Sequence, residues 1–323
     1  MRATDDAGST TLNGMKLSQI NAKNIQARLR REWHKRAFSR AVSDVTQVRP
    51  LQRGKLPLIV LSMVQSRDTL PYLLALLSFT RHVNPERVVV VCDPSMTPDD
   101  LQTLKTAAPH IELRRAEEFR HPELPVGGCW ERLQAITEYA ASGYVIQLDA
   151  DTVTLKPITE VRDAVVAGHS FVLGERPQQR VTSVEEAKVF ATPWQRPGLQ
   201  IQGVAEYVMP DARLAGTRYV RGCAGFTGFE RTSGLMAPLI EFSNEMRRLT
   251  GKRWTEWGTE QVASNYLVAN LGGTTVLPFP DYATPDHLLA QPRFLHFIGS
   301  MRFESGDYAR TARQVIAELR LAA

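Results

Sequence analysis

Four strand-like segments alternate with helical segments between residues 56 and 149, and this alternation constrains the fold more than any other feature of the chain. The segments read LPLIVLSMV, ERVVVVCD, HIELRRA and YVIQLD. Apolar strands that are separated by helices are typical of a mostly parallel sheet with helices on both faces. The sequence therefore predicts an α/β fold in which ligands bind at the carboxyl ends of the strands.

Helix signals fill the intervals between these strands. Thr97, Pro98 and the acidic Asp99 and Asp100 form a typical helix start, with a capping side chain, a proline at the first helical position and acids in the first turn. The second half is less regular. Residues 174 to 215 are rich in Pro, Gln and Gly, and they predict a long excursion or lid.

The chain of 323 residues divides into four parts by composition and pattern. We expect a disordered tail over residues 1 to 15, a basic amphipathic helical arm over 16 to 55, one domain over 56 to 303, and a C-terminal helix over 304 to 323. In the later part of the domain, we predict strands over 219 to 229 and 293 to 303, and helices over 232 to 248 and 254 to 270.

The arm over residues 16 to 55 carries eleven Lys or Arg and only two acids. Apolar residues repeat every four positions within it: Ile25, Leu29, Trp33, Ala37, Ala41 and Val45. Two interpretations are open. Either the stripe docks on the main domain, or the arm is an interfacial helix that makes peripheral contact with an anionic membrane. The rest of the chain has no matching basic surface, so we do not expect nucleic acid as a partner.

Cysteine usage and hydropathy bear on location. The three cysteines form no CxxC pair, which favours a reducing compartment. The N-terminus lacks the apolar segment of a signal peptide, and no apolar run approaches the ~18 residues of a membrane span. We expect a cytoplasmic protein, with the arm allowing contact with the inner face of the membrane.

Two carboxylates, Asp149 and Asp151, follow the fourth strand directly. Such a pair can bind a divalent cation through hard oxygens, although a solvated turn is the simpler alternative. His296 follows a late apolar segment. If it lay beside the aspartates, a mixed oxygen and nitrogen site would suit Mn²⁺ better than Mg²⁺. Otherwise it is a core histidine. Arg302, six residues further on, could then contact a phosphate.

These segments carry a resemblance to a known family. LDADTV resembles the DXD segment of the GT-A glycosyltransferases, and LHFIGSMRF resembles the closing His-x-x-Gly-x-x-Lys motif of glycosyltransferase family 8, the glycogenin and galactosyltransferase-like group. Arg302 stands in place of the usual Lys. WGTEQVASNYL is similar to the Asp-Gln-x-x-x-Asn segment of that family, and CWERL to its helix before the DXD strand. The resemblance covers residues 57 to 303 and leaves out the arm.

The resemblance implies a GT-A fold and a hexosyltransferase that uses a nucleotide-diphosphate sugar, a UDP-sugar in the first instance, with retention of configuration. The acceptor would be a glycan, a lipid-linked glycan or a protein. Asp149, Asp151 and His296 would hold Mn²⁺ or Mg²⁺. The implied donor-binding residues are Ser62, Met63, Val64, Arg132, Asp149, Gly299 and Arg302, and the implied catalytic residues are Glu260, Gln261 and Arg302.

Alternatives stay open for the function and for single residues. A haloacid-dehalogenase-type phosphatase would use Asp149 as nucleophile and Asp151 as acid and base. A catalytically silent module with the same fold is a third possibility. Glu260 may also be an exposed helix acid, and Arg132 a surface ion-pair partner. Asp281, Asp286 and His287 lie in a Pro-punctuated loop, where Asp is a usual turn residue.

Overall fold

The structure is a computed structural model that describes residues 17–287 and 291–321. The predicted tail over residues 1 to 15 lies outside the described residues. The strands are β1 Leu56–Val64, β2 Pro85–Cys92, β3 Glu112–Arg115, β4 Tyr144–Leu148, β5 Thr152–Thr154, β6 Phe171–Gly174, β7 Thr182–Ser183, β8 Arg218–Tyr219, β9 Gly222–Phe229, β10 Thr275–Val276, β11 Tyr282–Ala283 and β12 Phe294–His296. The α-helices are α1 Leu17–Val42, α2 Thr69–Thr80, α3 Pro98–Ala107, α4 Trp130–Ala140, α5 Thr159–Ala167, α6 Val184–Ala191, α7 Ile201–Val208, α8 Met236–Thr250, α9 Thr259–Ala269 and α10 Asp307–Leu321.

Seven strands form the central sheet, in the order β10-β6-β9-β4-β1-β2-β3. β1, β2, β3 and β4 run parallel to one another, whereas β9 runs antiparallel to β4 and β6. Two separate apolar clusters cover the two faces of the sheet. The predicted α/β fold, with a mostly parallel sheet and helices on both faces, is confirmed.

Most elements of the first half lie where the pattern predicted them. β1 has the predicted bounds because its apolar run is buried on both faces. α3 begins at Pro98, and the Thr97 side chain accepts a hydrogen bond from the backbone N–H of Asp100. The Asp100 side chain in turn accepts from the Thr97 N–H, which completes a capping box.

The arm helix α1 docks with only the second half of its apolar stripe. Phe38, Ala41 and Val42 are buried, and the ring of Phe38 stacks on that of Tyr308 in α10 at 3.7 Å. Ile25, Leu29 and Trp33 are instead exposed. The interpretation in which the stripe docks on the main domain therefore does not hold for these three residues. Among the described residues, no helix has the length and apolar character needed to cross a membrane.

The excursion over residues 174 to 215 is structured rather than a long loop. It contains α6 and α7, and the short strands β7 and β8 pair where it returns to the sheet. Ser183 caps α6 by accepting a hydrogen bond from the N–H of Glu186. The sequence signal for this helix was thus present in the spacing of a serine and a glutamate.

Candidate active site

Strand pairing brings the two aspartates to His296. Asp149 follows β4, and its N–H donates to the carbonyl oxygen of Gly225 in β9 at 2.9 Å. β12 runs antiparallel to β5 with His296 opposite Thr152, and the N–H of Phe297 donates to the carbonyl oxygen of Asp151 at 2.8 Å. Residues that are separated by 145 positions therefore face each other at one strand end.

His296 lies between the carboxylates and Cys223. Its Nε2 is 3.0 Å from Oδ1 of Asp151 and 3.8 Å from Oδ2 of Asp149, and its Nδ1 is 3.1 Å from Sγ of Cys223. The ring passes directly over Gly225, where a Cβ would come within 2.1 Å of Cε1 of His296. A glycine at position 225 is therefore required by the approach of this imidazole.

Two arginines engage the aspartates from opposite sides. Arg132 in α4 donates to Oδ1 of Asp149. Arg302 donates to Oδ2 of Asp151 at 2.5 Å and to Oδ1 of Asp68 at 3.0 Å. Arg132 is 5% exposed, so the prediction of a surface ion pair for it is wrong. The two guanidinium groups neutralise the repulsion between neighbouring carboxylates.

Glu260 belongs to the same cluster. It is only 3% exposed, and its Oε2 accepts a hydrogen bond from Nη2 of Arg132 at 3.1 Å, so the alternative of an exposed helix acid is wrong. Within the part of the chain that the structure describes, its Oε1 has no hydrogen-bond partner. Burial raises the pKa of Glu260 to about 7, although Arg132 opposes the shift. An unpaired oxygen in a buried site is ready to accept from a ligand hydroxyl.

Burial and neighbouring charges also shift the pKa values of Asp149, Asp151 and His296. Burial alone would raise the pKa of Asp151, but His296 and Arg302 hold it well below its usual value. Burial alone would lower the pKa of His296, but Cys223 and Asp151 raise it well above 6.5. Burial raises the pKa of Asp149 in spite of Arg132. The two neighbouring acids thus favour the protonated form of the imidazole.

The donor set of this cluster fits a divalent cation. Ligand atoms of Asp149, Asp151 and His296 lie within 4.8 Å of one another. Asp149 gives one oxygen to Arg132 and keeps Oδ2 toward the cluster, and Asp151 divides its oxygens between Arg302 and His296. Two carboxylate oxygens and one imidazole nitrogen are ligands that suit Mn²⁺.

The other predicted site residues lie nearby with different exposure. Ser62 and Val64 are fully buried and Met63 is half-buried; the hydroxyl of Ser62 donates to the carbonyl oxygen of Leu148 at 2.6 Å. Gln261 is half-buried, accepts from the N–H of Ala224 at 3.3 Å and donates to Gln202 in α7 at 3.2 Å. Gly299 is exposed, with a φ of 40°.

A cavity of about 710 Å³ opens beside Arg302. Its walls come from α1, from the turn between β1 and α2, from α3 and from the segment after β12. The lining includes cations, carboxylates, hydroxyls and apolar side chains, among them Lys35, Ser39, Val42, Arg67, Asp68, Thr69, Leu70, Asp100, Gly299, Arg302 and Phe303. The arm thus forms one wall of this cavity, although the resemblance did not cover it.

A second cavity, of about 260 Å³, lies under the excursion. Its buried Glu206 accepts from Arg221 at 3.1 Å and from the hydroxyl of Tyr219 at 3.1 Å. Arg221 also pairs with Glu175 at 3.5 Å. The guanidinium of Arg176 stands 4.7 Å over the ring of Phe190. Burial raises the pKa of Glu206 to about 7 against the effect of Arg221.

Sequence reasoning missed several residues of the site. Asp68 pairs with Arg302, and Cys223 contacts His296. Neither residue has a local signal, because its partner is distant in the chain. Gly127, Gly128 and Cys129 all have positive φ, between 56° and 79°, immediately before α4. The Gly-Gly pair was a visible signal for this left-handed turn, which sets the start of the helix that carries Arg132.

No known protein family matches the chain, and no curated protein does. The chain is similar in structure to several glycosyltransferases. The bifunctional glycosyltransferase WbbM is 14% identical with a TM-score of 0.49; the alignment covers 85% of this chain but only 53% of WbbM. Galactosyltransferase LgtC, solved with donor and acceptor sugar analogues, is 10% identical over 79% of this chain and 95% of LgtC, with a TM-score of 0.48.

Core-mannan synthase A from Aspergillus fumigatus, solved in its Mn/GDP form, is 10% identical. That alignment covers 82% of this chain and 87% of the synthase, with a TM-score of 0.42. In all three the identity is too low to carry over the role of any residue.

Proposed function

We propose that the chain is a metal-dependent glycosyltransferase of the GT-A type, which moves a hexose from a nucleoside-diphosphate sugar, a UDP-sugar in the first instance, to a glycan or lipid-linked acceptor. The observation that carries this proposal is the cluster of Asp149, Asp151 and His296 next to Arg302, at the carboxyl end of β4 and beside a large cavity. Ligands of such sheets bind at this edge.

The large cavity is the proposed donor site. Its volume of about 710 Å³ is within the range of small-molecule pockets, and its lining combines apolar side chains with Lys35, Arg67 and Arg302. A nucleoside diphosphate carries groups that complement this lining. Its flat base suits the apolar side chains, and its diphosphate suits the cations. Asp149, Asp151 and His296 would hold the cation, which when bound offsets negative charge on the diphosphate.

The transfer itself breaks the bond between the anomeric carbon of the sugar and the diphosphate oxygen. The electron pair leaves with the nucleoside diphosphate, the acceptor oxygen bonds to the anomeric carbon, and the hydroxyl proton of the acceptor passes to the departing diphosphate. Arg302 stabilises the charge of the leaving group. Arg132 orients Asp149 and Glu260, and the free Oε1 of Glu260 accepts from a sugar hydroxyl. Retention of configuration is proposed from the resemblance.

The second cavity is the proposed acceptor site. Glu175 pairs with Arg221 of this cavity at 3.5 Å, and Cys223, two residues after Arg221, contacts His296 of the cluster at 3.1 Å. Carboxylates, guanidinium groups and the aromatic rings of Tyr219 and Phe190 suit a hydroxyl-rich ring. The excursion that forms this cavity can exclude water from the reacting carbon.

Calorimetric titration of the purified chain with UDP, GDP, ADP and CMP, each with Mn²⁺ and again with EDTA, tests the proposal. We expect one nucleoside diphosphate to bind only with the metal, and Asp151→Asn to abolish that binding. Asp163→Asn is the control, because Asp163 is an exposed acid on α5, outside the cluster.

Two outcomes would contradict the proposal. Full metal-dependent nucleotide binding in Asp151→Asn would show that the cluster is not the site. Absence of nucleotide binding, together with metal-dependent hydrolysis of p-nitrophenyl phosphate that is lost in Asp149→Asn, would favour the phosphatase alternative.

A further inference from the structure

Helix α1 exposes three large apolar side chains to solvent, all before the docked residues Phe38, Ala41 and Val42. Ile25, Leu29 and Trp33 are 59%, 65% and 66% exposed. They are spaced four residues apart and therefore form one stripe along the helix. Isolated exposed apolar residues are ordinary on protein surfaces, whereas a continuous stripe on one helix marks an interaction surface.

This stripe lies opposite the docked face of the helix. Successive residues are turned by about 100°, so Leu29 is about 180° from Phe38, and Ile25 and Trp33 are each about 140° from it. Phe38 is buried against Tyr308. The stripe is therefore directed away from the domain, and the fold of the domain leaves it uncovered.

Positive charge accompanies the stripe. Residues 24 to 42 hold six Lys or Arg and one acid. Arg31 pairs with Glu304 at 3.5 Å; within residues 17–287 and 291–321, the other five basic side chains of this segment form no ion pair, namely Arg28, Arg30, Lys35, Arg36 and Arg40. The surface thus combines apolar side chains with unpaired cations.

We propose that this stripe binds an anionic lipid surface, with Ile25, Leu29 and Trp33 below the headgroups. Arg36 and Arg40 decide between lipid and a second copy of the chain. Each follows a stripe residue by seven positions and lies on the same face.

A dry contact between two helices would bury these guanidinium groups without partners, which is costly. At the level of lipid headgroups, the same arginines bond to phosphates while tryptophan occupies the interface. The geometry of the stripe therefore favours lipid. This inference does not depend on the proposed function.

Sedimentation of the full chain with phosphatidylcholine vesicles, with and without phosphatidylglycerol, tests the proposal. We expect binding only to the anionic vesicles, and weaker binding at high salt. Leu29→Ser combined with Trp33→Ser should lower the partition coefficient by at least about tenfold, and Arg36→Gln combined with Arg40→Gln by a similar factor.

Trp257→Ser is the matched control, because Trp257 is 77% exposed but lies far along the chain, before α9. It should leave vesicle binding within about twofold of the unchanged protein. All substituted side chains are exposed, so thermal melting should confirm intact folding.

Equal binding of the stripe variant and the control variant would overturn the proposal. So would absence of vesicle binding together with a dimer, seen by sedimentation velocity, that the stripe variant loses. The second result would assign the stripe to a contact between copies of the chain.

Discussion

Arg302 donates a hydrogen bond to Asp151 across 2.5 Å, so a side chain of the proposed donor site already occupies one oxygen of a proposed metal ligand. A guanidinium group and a divalent cation compete for the negative charge of that carboxylate. Arg302 therefore opposes the binding of metal alone while favouring the binding of an anion beside it.

Replacing Arg302 should separate these two effects. In Arg302→Gln, we expect Mn²⁺ alone to bind about tenfold more tightly and the nucleoside diphosphate, at saturating Mn²⁺, about tenfold more weakly. Loss of the closer of the two arginine partners of buried Asp68 should lower the free energy of unfolding by about 2 kcal/mol. Calorimetry and urea melts measure these quantities. Arg302→Lys should restore part of the nucleotide affinity, and a parallel fall of both affinities would contradict the prediction.

Gly225 leaves room for His296, and adding one carbon should displace the imidazole. A Cβ at position 225 would lie 2.1 Å from Cε1 of His296. We expect Gly225→Ala to weaken Mn²⁺ binding by at least about tenfold and to lower stability by about 1–3 kcal/mol. Gly272→Ala is the control, because the nearest atom to its Cβ, Oε1 of Glu230, is 3.9 Å away. Equal metal affinities in the two variants would show that His296 is not a ligand.

Lys35, in the arm helix α1, should contribute to nucleotide binding at the proposed donor site. It lines the large cavity together with Arg302. A charge of this kind near a diphosphate is worth about 1 kcal/mol, so Lys35→Gln should weaken nucleoside-diphosphate binding about fivefold in solution. Arg36→Gln, one residue further along α1 and not in the cavity lining, should leave it unchanged. If both variants bound the nucleoside diphosphate with the same affinity, Lys35 of the arm would not contribute to the donor site.

Glu206 should make stability depend on pH. Burial raises its pKa in the folded protein from 4.5 to about 7. Between these values the unfolded chain releases the proton while the folded protein keeps it, so the free energy of unfolding falls as pH rises from about 4.5 to about 7. The fall should amount to about 3 kcal/mol relative to Glu206→Gln.

Urea melts across this pH range measure the effect of Glu206. Glu185→Gln, which removes an exposed acid at the start of α6, should keep the slope of the unchanged protein. If Glu206→Gln also kept that slope, the carboxyl would not be held in its protonated form.

The central sheet could be predicted from the sequence because its signals are local. β1 and β4 are mostly apolar runs without a charged residue, and Asp149 follows directly after the second of them. The direction of β9 could not be predicted, since it depends on how the excursion returns to the sheet. The exposure of Ile25, Leu29 and Trp33 in α1 could not be predicted either. An apolar stripe that repeats every four residues does not show which of its residues pack against the domain.

Within the site, the motifs predicted which residues meet but not what neutralises them. Asp149, Asp151 and His296 came from motif order, and the structure brings them together. The pairing of Asp68 with Arg302 joins residues 234 positions apart, which no local spacing reveals. The alternative of a surface ion pair for Arg132 was wrong, since helix periodicity alone does not show that α4 faces the cluster.

Arg132 and Arg302 bear on whether folding or metal binding comes first. They supply the counter-charge of the two aspartates from the chain itself, so this strand end does not need a cation in order to form. Many small metal domains stay unfolded until their ion arrives. At the proposed metal site, folding would come first, and the folded protein would bind the ion afterwards. Metal supply in the cell would then set how much of the protein is active without changing how much of it is folded.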